Sequence, residues 1–282
     1  QAYDESYEEA RRLEKEKGYV FVHPYEDEDV ICGQGTIGLE ILEQLPDVDS
    51  VIVPIGGGGL IGGIAAVIKA QKPKCPVYGA VSDAYPNIRN LYTKSTQVQN
   101  FPYGTIADGI AVKRPSSGMY KDFISRYVDG IASVEDDEVA KAIVFLLERT
   151  KTVAEGSGAI SLAAAALARQ NDWDLGEKTC VVLSGGNIDM NIIAKIIQRG
   201  MMASGRVGHV EVVATDRPGQ LNLLTQLIAK QGANILEVRH DRTSAQLKLR
   251  ETKIDFLLET KSPDHLYAII DEVKAQGFRV LG

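Results

Sequence analysis

VIVPIGGGGLIGGIAAVIKAQK, residues 51–72, decides the frame of this chain. Val51-Ile52-Val53 is a short β-branched apolar run and predicts a buried strand. Gly56-Gly57-Gly58-Gly59 follows at once, and Leu60, Ile61, Ile64, Ala65, Val67 and Ile68 then give a mostly apolar helix. Strand, glycine turn and helix bring free backbone N–H groups to one point. Those amides and the helix N-terminal dipole suit a phosphate or another anion. Glycine removes the side chains that would hold an anion off and tolerates unusual dihedrals. The spacing is not that of a dinucleotide-binding fingerprint, and no Gly-Lys-Ser/Thr follows. Taken alone, the four glycines fit an anion cradle and a tightly packed turn equally.

Outward from that unit the pattern repeats. Val77–Val81 predicts another short strand, and strand–helix–strand logic predicts a parallel sheet covered by helices. Upstream, residues 3–17 read as a charged surface helix with Tyr3, Tyr7, Ala10 and Leu13 or Glu14 along one side, ended by Gly18. Tyr19–Val22 predicts a strand stopped by His23-Pro24. Glu26–Asp29 is an acidic turn able to cap the next helix, which is expected over 36–45 with Ile37, Ile41, Leu42 and Leu45 on one face. Downstream, a short helix is expected around Ile88–Tyr92, then irregular chain with a turn at 105–110, a short helix ending at Tyr127, a strand at 130–134 and a strong helix over 135–149. Ala154–Ala159 breaks the pattern before an alanine-rich helix over 161–169. Thr179–Leu183 is a buried strand, Ser184-Gly185-Gly186-Asn187 a second glycine turn, and 190–199 a helix ending at Gly200. After Ala203-Ser204-Gly205 the order becomes β-α-β-β-α-β, the ferredoxin-like arrangement. Such a sheet carries helices on one face, so its other face is expected to meet a partner sheet or subunit.

Length and charge set limits. The 282 residues suffice for two domains. A net charge of −7 with no basic stripe argues against a nucleic-acid partner held by charge. No stretch has the uninterrupted apolar length to span a bilayer, and no signal peptide is read, so a cytoplasmic setting is expected. Cys32, Cys75 and Cys180 lie far apart and read as reduced, half-buried thiols. His23, His209, His240 and His265 are scattered, which disfavours a metal site of nitrogen and sulphur ligands.

Three turns are candidate sites. Ligands of an open α/β sheet gather beyond the carboxyl ends of its strands, so the cradle at Gly56–Gly59 and the turn at Ser184–Asn187 can face one ligand. The Ser184 hydroxyl can hydrogen-bond there without bringing charge, or simply cap a helix. Asp216-Arg217-Pro218-Gly219, with Asn234 further on, offers backbone donors for a carboxylate, or is a plain proline–glycine turn. Gly156-Ser157-Gly158 only superficially resembles a nucleophile elbow.

CGQGTIGLEI (32–41), VIVPIGGGGLIGGI (51–64), TIADGIAV (105–112), AEGSGA (154–159), VVLSGGN (181–187) and DRPGQL…GANILEVRHDR (216–242) together resemble the serine/threonine dehydratases, pyridoxal-phosphate enzymes of the second fold type. The pattern looks most like a threonine ammonia-lyase with one C-terminal ACT domain. The resemblance implies a fold type II core, a parallel sheet with helices on both faces, and then a βαββαβ ferredoxin-like ACT domain. The implied divisions are 1–22 as a remnant of the small cofactor domain, 23–203 as the large pyridoxal-phosphate domain and 207–282 as the ACT domain. It also implies roles. Gly56, Gly57, Gly58 and Gly59 bind the cofactor phosphate and Ser184 meets the pyridine nitrogen. Gly109 lines the ring and Glu155 lies near the substrate or ring. Asp216, Arg217, Pro218, Gly219 and Asn234 belong to an amino-acid effector site. The implied reaction is β-elimination of ammonia from L-threonine, and from L-serine, giving 2-oxobutanoate or pyruvate, in a homo-oligomer, dimer or tetramer.

The chain departs from the family pattern in one important way. The Schiff-base lysine of the family, in a serine-x-lysine-x-arginine stretch, does not occur here, nor does the substrate-gripping serine–glycine–asparagine–histidine loop. Lys69, Lys72 and Lys74 match no such motif. The expectation is a chain that starts after that lysine and is inactive alone, since no covalent link to the cofactor can form. A non-catalytic effector-binding fragment and a serine racemase-like enzyme stand as alternatives. Val81 and Asn87 occupy positions where some relatives carry metal-binding acids, so no such metal is expected.

Overall fold

A computed structural model of the chain describes residues 3–95, 104–243 and 247–281. Helix α1 spans Tyr3–Lys17, and Gly18 ends it with a φ of +70°. The Tyr3 side chain lies outside the described part. Residues 19–22 form no strand: with no neighbour to pair with, Tyr19, Val20 and Val22 stay exposed. Helix α2 spans Glu28–Gln44, starting well before the expected Thr36. Asp27 caps it, its side chain accepting from the amides of Asp29 and Val30.

The glycines inside α2 explain the early start. A methyl on Gly38 would stand 3.0 Å from the Ile64 carbonyl oxygen, and one on Gly63 would run into the Ile31 carbonyl. Gly35, Gly38 and Gly63 thus form a seam where α2 and α3, Gly59–Gln71, meet backbone to backbone. Helix propensity is sacrificed there for close packing.

Strands β1 (Ser50–Pro54), β2 (Val77–Ser82), β3 (Gly130–Val134) and β4 (Thr179–Val181) form one parallel sheet in the order β3-β2-β1-β4. Every residue of β1 and β2 is buried, as a parallel strand covered on both faces must be. Ile61, Ile64 and Ile68 of α3 are sealed against this sheet, each side chain contributing about 1.5–3 kcal/mol. After α4 (Asn87–Thr93) and a 3-10 turn at Asp108–Ile110, a helical run holds α5 (Ser117–Met119), a π turn (Tyr120–Ile124) and α6 (Ser125–Tyr127). Helix α7 spans Asp136–Arg149 and α8 spans Gly156–Ala166. The stretch expected to break the pattern is therefore the first turn of α8. A methyl on Gly156 would strike the Ile106 carbonyl, and one on Gly158 the Gly185 carbonyl, so glycine serves packing rather than chain breaking.

The compact units divide at Asp189/Met190. Helix α9, Met190–Ala203, groups with the second unit rather than the first, and runs through Gly200. In that unit β5 (Val207–Thr215), α10 (Gln220–Lys230), β6 (Asn234–Asp241), β7 (Glu251–Glu259), α11 (Pro263–Ala275) and β8 (Arg279–Val280) give the βαββαβ order. The sheet is antiparallel in the order β6-β7-β5-β8. Val210, Val212, Leu224, Ile254, Phe256 and Ile269 fill its core. The sheet's open face is charged rather than bare apolar. Lys253 Nζ lies 3.2 Å from Glu211 and 3.3 Å from Asp255, and Arg239 pairs with Glu237 at 2.6 Å. A partner meeting this face would therefore have to match charges rather than cover bare apolar surface.

Candidate active site

The chain after β1 turns through Gly56–Gly59, and Gly58 takes a left-handed φ of +101° to start α3. Gly62 N donates to Gly58 O at 2.8 Å, so the amides before it have no partner within the helix. Packing also demands these glycines. A methyl on Gly57 would collide with the Tyr25 ring, and one on Gly59 would stand 2.9 Å from Tyr25 Cα. One on Gly56 would stand 3.1 Å from Ile110 Cα. Amides at the start of α3 are thus left without helix partners, in a wall whose Cβ positions Tyr25 and Ile110 already crowd.

Two other loops meet this wall. Thr105 Oγ1 donates to Asp136 Oδ1 at 2.6 Å, Ser82 Oγ donates to Thr105 at 2.9 Å, and Ile106 N donates to Asp136 Oδ2 at 3.1 Å. This network fixes the turn carrying Gly109. The turn after β4 is tied by Val182 N donating to Ile52 O at 2.9 Å and Glu155 N to Gly185 O at 3.1 Å. Gly56–Gly59, Gly109, Glu155 and Ser184 all line one cleft of about 230 Å3, at the carboxyl ends of β1 and β4. Tyr25, Gln34, Pro54, Ile110 and Ser157 line it too, though nothing in the sequence pattern assigns them a role. Ser157 had a signal, two residues after Glu155 in the same helix turn, but its glycine neighbours read as an imperfect elbow.

Electrostatics differ along the cleft. Glu155 precedes α8, and burial, with the Asp108 charge adding to it, pushes its carboxyl above the ordinary value. Ser184 is exposed and neutral. Bare amides at a helix start, a neutral hydroxyl and a carboxyl raised by burial fit a phosphorylated, ring-bearing cofactor such as pyridoxal phosphate. Among the described residues lining the cleft there is no lysine. Lys69 lies in the last turn of α3, roughly 15 Å along the axis from Gly59. There it pairs with Asp129 at 2.7 Å. Lys72 donates to Val48 O at 2.6 Å. Both tie the fold together.

A larger cleft of about 740 Å3, bounded by Ile31, Cys32, Val67, Met119 and Phe123, holds none of the expected site residues. Cys32 is exposed rather than half-buried, while burial raises the thiols of Cys75 and Cys180. His23 is structural: its Nδ1 accepts from Glu26 N at 3.0 Å. Val81 is in the core and Asn87 Nδ2 donates to Lys113 O at 2.8 Å. Among the described residues His209, Glu211 and Asp255 offer ligand atoms within 4.8 Å of one another, but the Lys253 ammonium already sits beside both carboxylates.

In the second unit Asp216, Arg217, Pro218 and Gly219 line a cleft of about 350 Å3 with His240 and Arg242. Arg242 Nε donates to Asp216 Oδ1 at 3.0 Å. Asn234 is not brought to it. It lies at the opposite end of β6, roughly 20 Å away at the rise of an extended strand, where its amide donates to Glu259 at 3.4 Å.

Comparison with known proteins agrees with this geometry. The family described as "Pyridoxal-phosphate dependent enzyme" matches residues 1–185, and the ACT domain matches residues 207–276. The L-threonine ammonia-lyase of Thermotoga maritima is 44% identical over 281 residues, covering 99% of this chain and 68% of that protein. The L-threonine ammonia-lyase of Geobacter sulfurreducens is 43% identical over 278 residues, again covering 99% and 68%. Among solved structures, a threonine deaminase from T.th. is similar with a TM-score of 0.58 at 35% identity, covering 64% of this chain and 65% of that one. Maize serine racemase is similar with a TM-score of 0.62 at 31% identity, covering 71% and 62%. The chain thus spans about two thirds of the length of these relatives.

Proposed function

Because the chain belongs to the pyridoxal-phosphate dependent enzyme family and carries an ACT domain behind that region, we propose that it is the cofactor-holding and regulatory part of an L-threonine ammonia-lyase. The product is 2-oxobutanoate and ammonia, with L-serine as the lesser substrate. One methyl separates the two substrates, worth about 1–3 kcal/mol. The observation that carries the reading is the meeting of Gly56–Gly59, Gly109, Glu155 and Ser184 around one cleft.

When bound, pyridoxal phosphate supplies the electron sink for the charge left as the α-proton departs. The residues of this chain do the rest of the holding. The amides at the start of α3 take the phosphate. Ser184 Oγ hydrogen-bonds the ring nitrogen and, being neutral, does not force a proton onto it. Gly109 gives the ring a flat wall. Glu155, whose carboxyl keeps its proton to higher pH than usual, has Oε1 3.8 Å from where a methyl on Gly109 would stand and is able to assist departure of the β-hydroxyl. No lysine of this chain matches the family's Schiff-base stretch, and none lines the cleft among the described residues.

Asp216–Gly219 is the proposed amino-acid effector site: the Asp216 and Arg217 amides are held by Arg250 O and Thr215 O, so the Gly219 amide and those opening α10 are the donors left for the effector carboxylate. Asn234 joins it only if a second copy brings its β6 alongside. A homo-oligomer belongs to this reading, supported by the exposed Leu236 and Val238 on the sheet-edge strand β6. Light scattering that finds a monomer at micromolar concentration removes it.

Serine racemase is the second reading, favoured by the maize structure's similarity. The match to threonine ammonia-lyases along 99% of the chain favours the lyase. The test is to join the chain to a lysine-bearing segment of a relative and supply L-threonine and L-serine. Release of ammonia and 2-oxobutanoate supports the lyase. D-serine without a keto acid replaces it by a racemase, and failure to retain pyridoxal phosphate removes both.

A further inference from the structure

Ser157 is the second residue of α8 and is buried, at 3% exposure. Its Oγ has no hydrogen-bond partner among the described residues. A serine inside a helix ordinarily satisfies itself on the carbonyl four residues back. Here that residue is Val153, which precedes the helix, so this route is closed. A buried hydroxyl without a partner costs about 1–3 kcal/mol. Ser161, one turn on, also lacks a partner but does not line the cleft.

Ser157 does line it. Its Oγ is the first heavy atom a methyl on Gly109 would meet, at 2.9 Å, and Glu155 Oε1 lies 3.8 Å from the same point. Hydroxyl and carboxyl therefore face one spot on the Gly109 wall. Helix α8 also begins there, with its first amides lacking partners within the helix. An anion is not the natural occupant of that spot, since the side chains of Glu155 and Asp108 already bring acid to it. A neutral oxygen or nitrogen is.

We propose that Ser157 Oγ is a further binding group of the cleft, hydrogen-bonding the oxygen carried on the pyridoxal phosphate ring from the Gly109 side and leaving the ring nitrogen to Ser184. This rests on the reading of the cleft as the cofactor site and adds a second neutral hydroxyl to Ser184. The phosphate is left to the glycine wall. Ser157 thereby positions the ring, and the cofactor relieves a polar group the empty fold leaves unsatisfied.

The experiment is equilibrium dialysis of the 282-residue chain and its Ser157→Ala and Ser161→Ala variants against pyridoxal phosphate and, separately, inorganic phosphate, with thermal melts of each empty chain. Ser157→Ala is expected to weaken pyridoxal phosphate binding roughly threefold to tenfold, the range of one neutral hydrogen bond. Inorganic phosphate binding should not change, and the empty variant should melt no lower than the parent. Ser161→Ala should leave both ligands unaffected. Equal pyridoxal phosphate affinity in Ser157→Ala and parent overturns the assignment, as does an equal loss for inorganic phosphate or a lowered melt of the empty variant. If the parent itself fails to bind pyridoxal phosphate, the cofactor reading of the cleft falls as well, which separates the two failures.

Discussion

Two turns in this molecule share one local recipe and live in opposite surroundings. Gly58 and Gly219 each take a left-handed φ, +101° and +94°, and each starts a helix after a strand. Around the first, Tyr25, Ile110 and Ile124 press against the glycines. Around the second, a methyl on Gly219 would meet nothing within 4 Å. One turn needs glycine for space, the other for dihedral angle alone. Sequence cannot tell these apart, because the residues that fill the space come from distant positions such as Tyr25 and Ile110.

Substitution separates them. Gly57→Ala should have the largest effect, since its methyl would overlap the Tyr25 ring. Overpacking of this kind costs about 1–3 kcal/mol. We expect a lowered melting temperature in the first unit together with loss of pyridoxal phosphate retention, measured by calorimetry and dialysis. If Gly57→Ala behaves like the parent, the contrast between the turns dissolves. Gly219→Ala should follow, costing about 1–2 kcal/mol through its left-handed backbone alone. It should destabilise the second unit and leave cofactor retention intact, which domain-resolved hydrogen exchange can report.

Glu155→Gln sharpens the comparison through pH. The folded chain raises the Glu155 carboxyl above its ordinary value of 4.5, mainly by burial. A raised group contributes stability that is fully present below the unfolded value and lost as pH rises through the folded one. Wild-type stability relative to Glu155→Gln should therefore be highest in acid and decline on the alkaline side of 4.5. Denaturant melts across that range would show it, and a pH-independent difference would refute it. Arg242→Ala should matter least. Its pair with Asp216 is exposed, and such pairs contribute up to about 1 kcal/mol that salt screens away. A larger loss would mean the second turn is more tightly organised than its surroundings indicate.

Much of the frame was legible because it is local. Val51–Val53 and Val77–Val81 read as buried strands from composition, and the βαββαβ order followed from spacing in the last third of the chain. Three misreadings share a cause. Tyr19–Val22 reads as a strand, but a strand exists only where another pairs with it. Thr36 reads as the first residue of a helix, yet sits well inside α2, where α3 approaches the neighbouring Gly35. Gly156 and Gly158 read as an interruption, yet start α8 beneath Ile106 and Gly185. Each depends on a distant neighbour, which periodicity does not see. In the site, the glycines and Ser184 were visible as turns at strand ends. Ser157 was visible only as the centre of an imperfect elbow, since sequence carries no mark of a serine left without a partner.

The seam between α2 and α3 also constrains how the cleft can change shape. With the two helix backbones in touch at Gly38 and Gly63, α2 braces α3, which carries the glycine wall at its start. The loops opposite, at 105–110 and 184–187, are held by hydrogen bonds instead, Thr105 and Ile106 to Asp136 and Glu155 N to Gly185 O. A change in the cleft's width therefore breaks hydrogen bonds on one side before it parts close-packed backbones on the other.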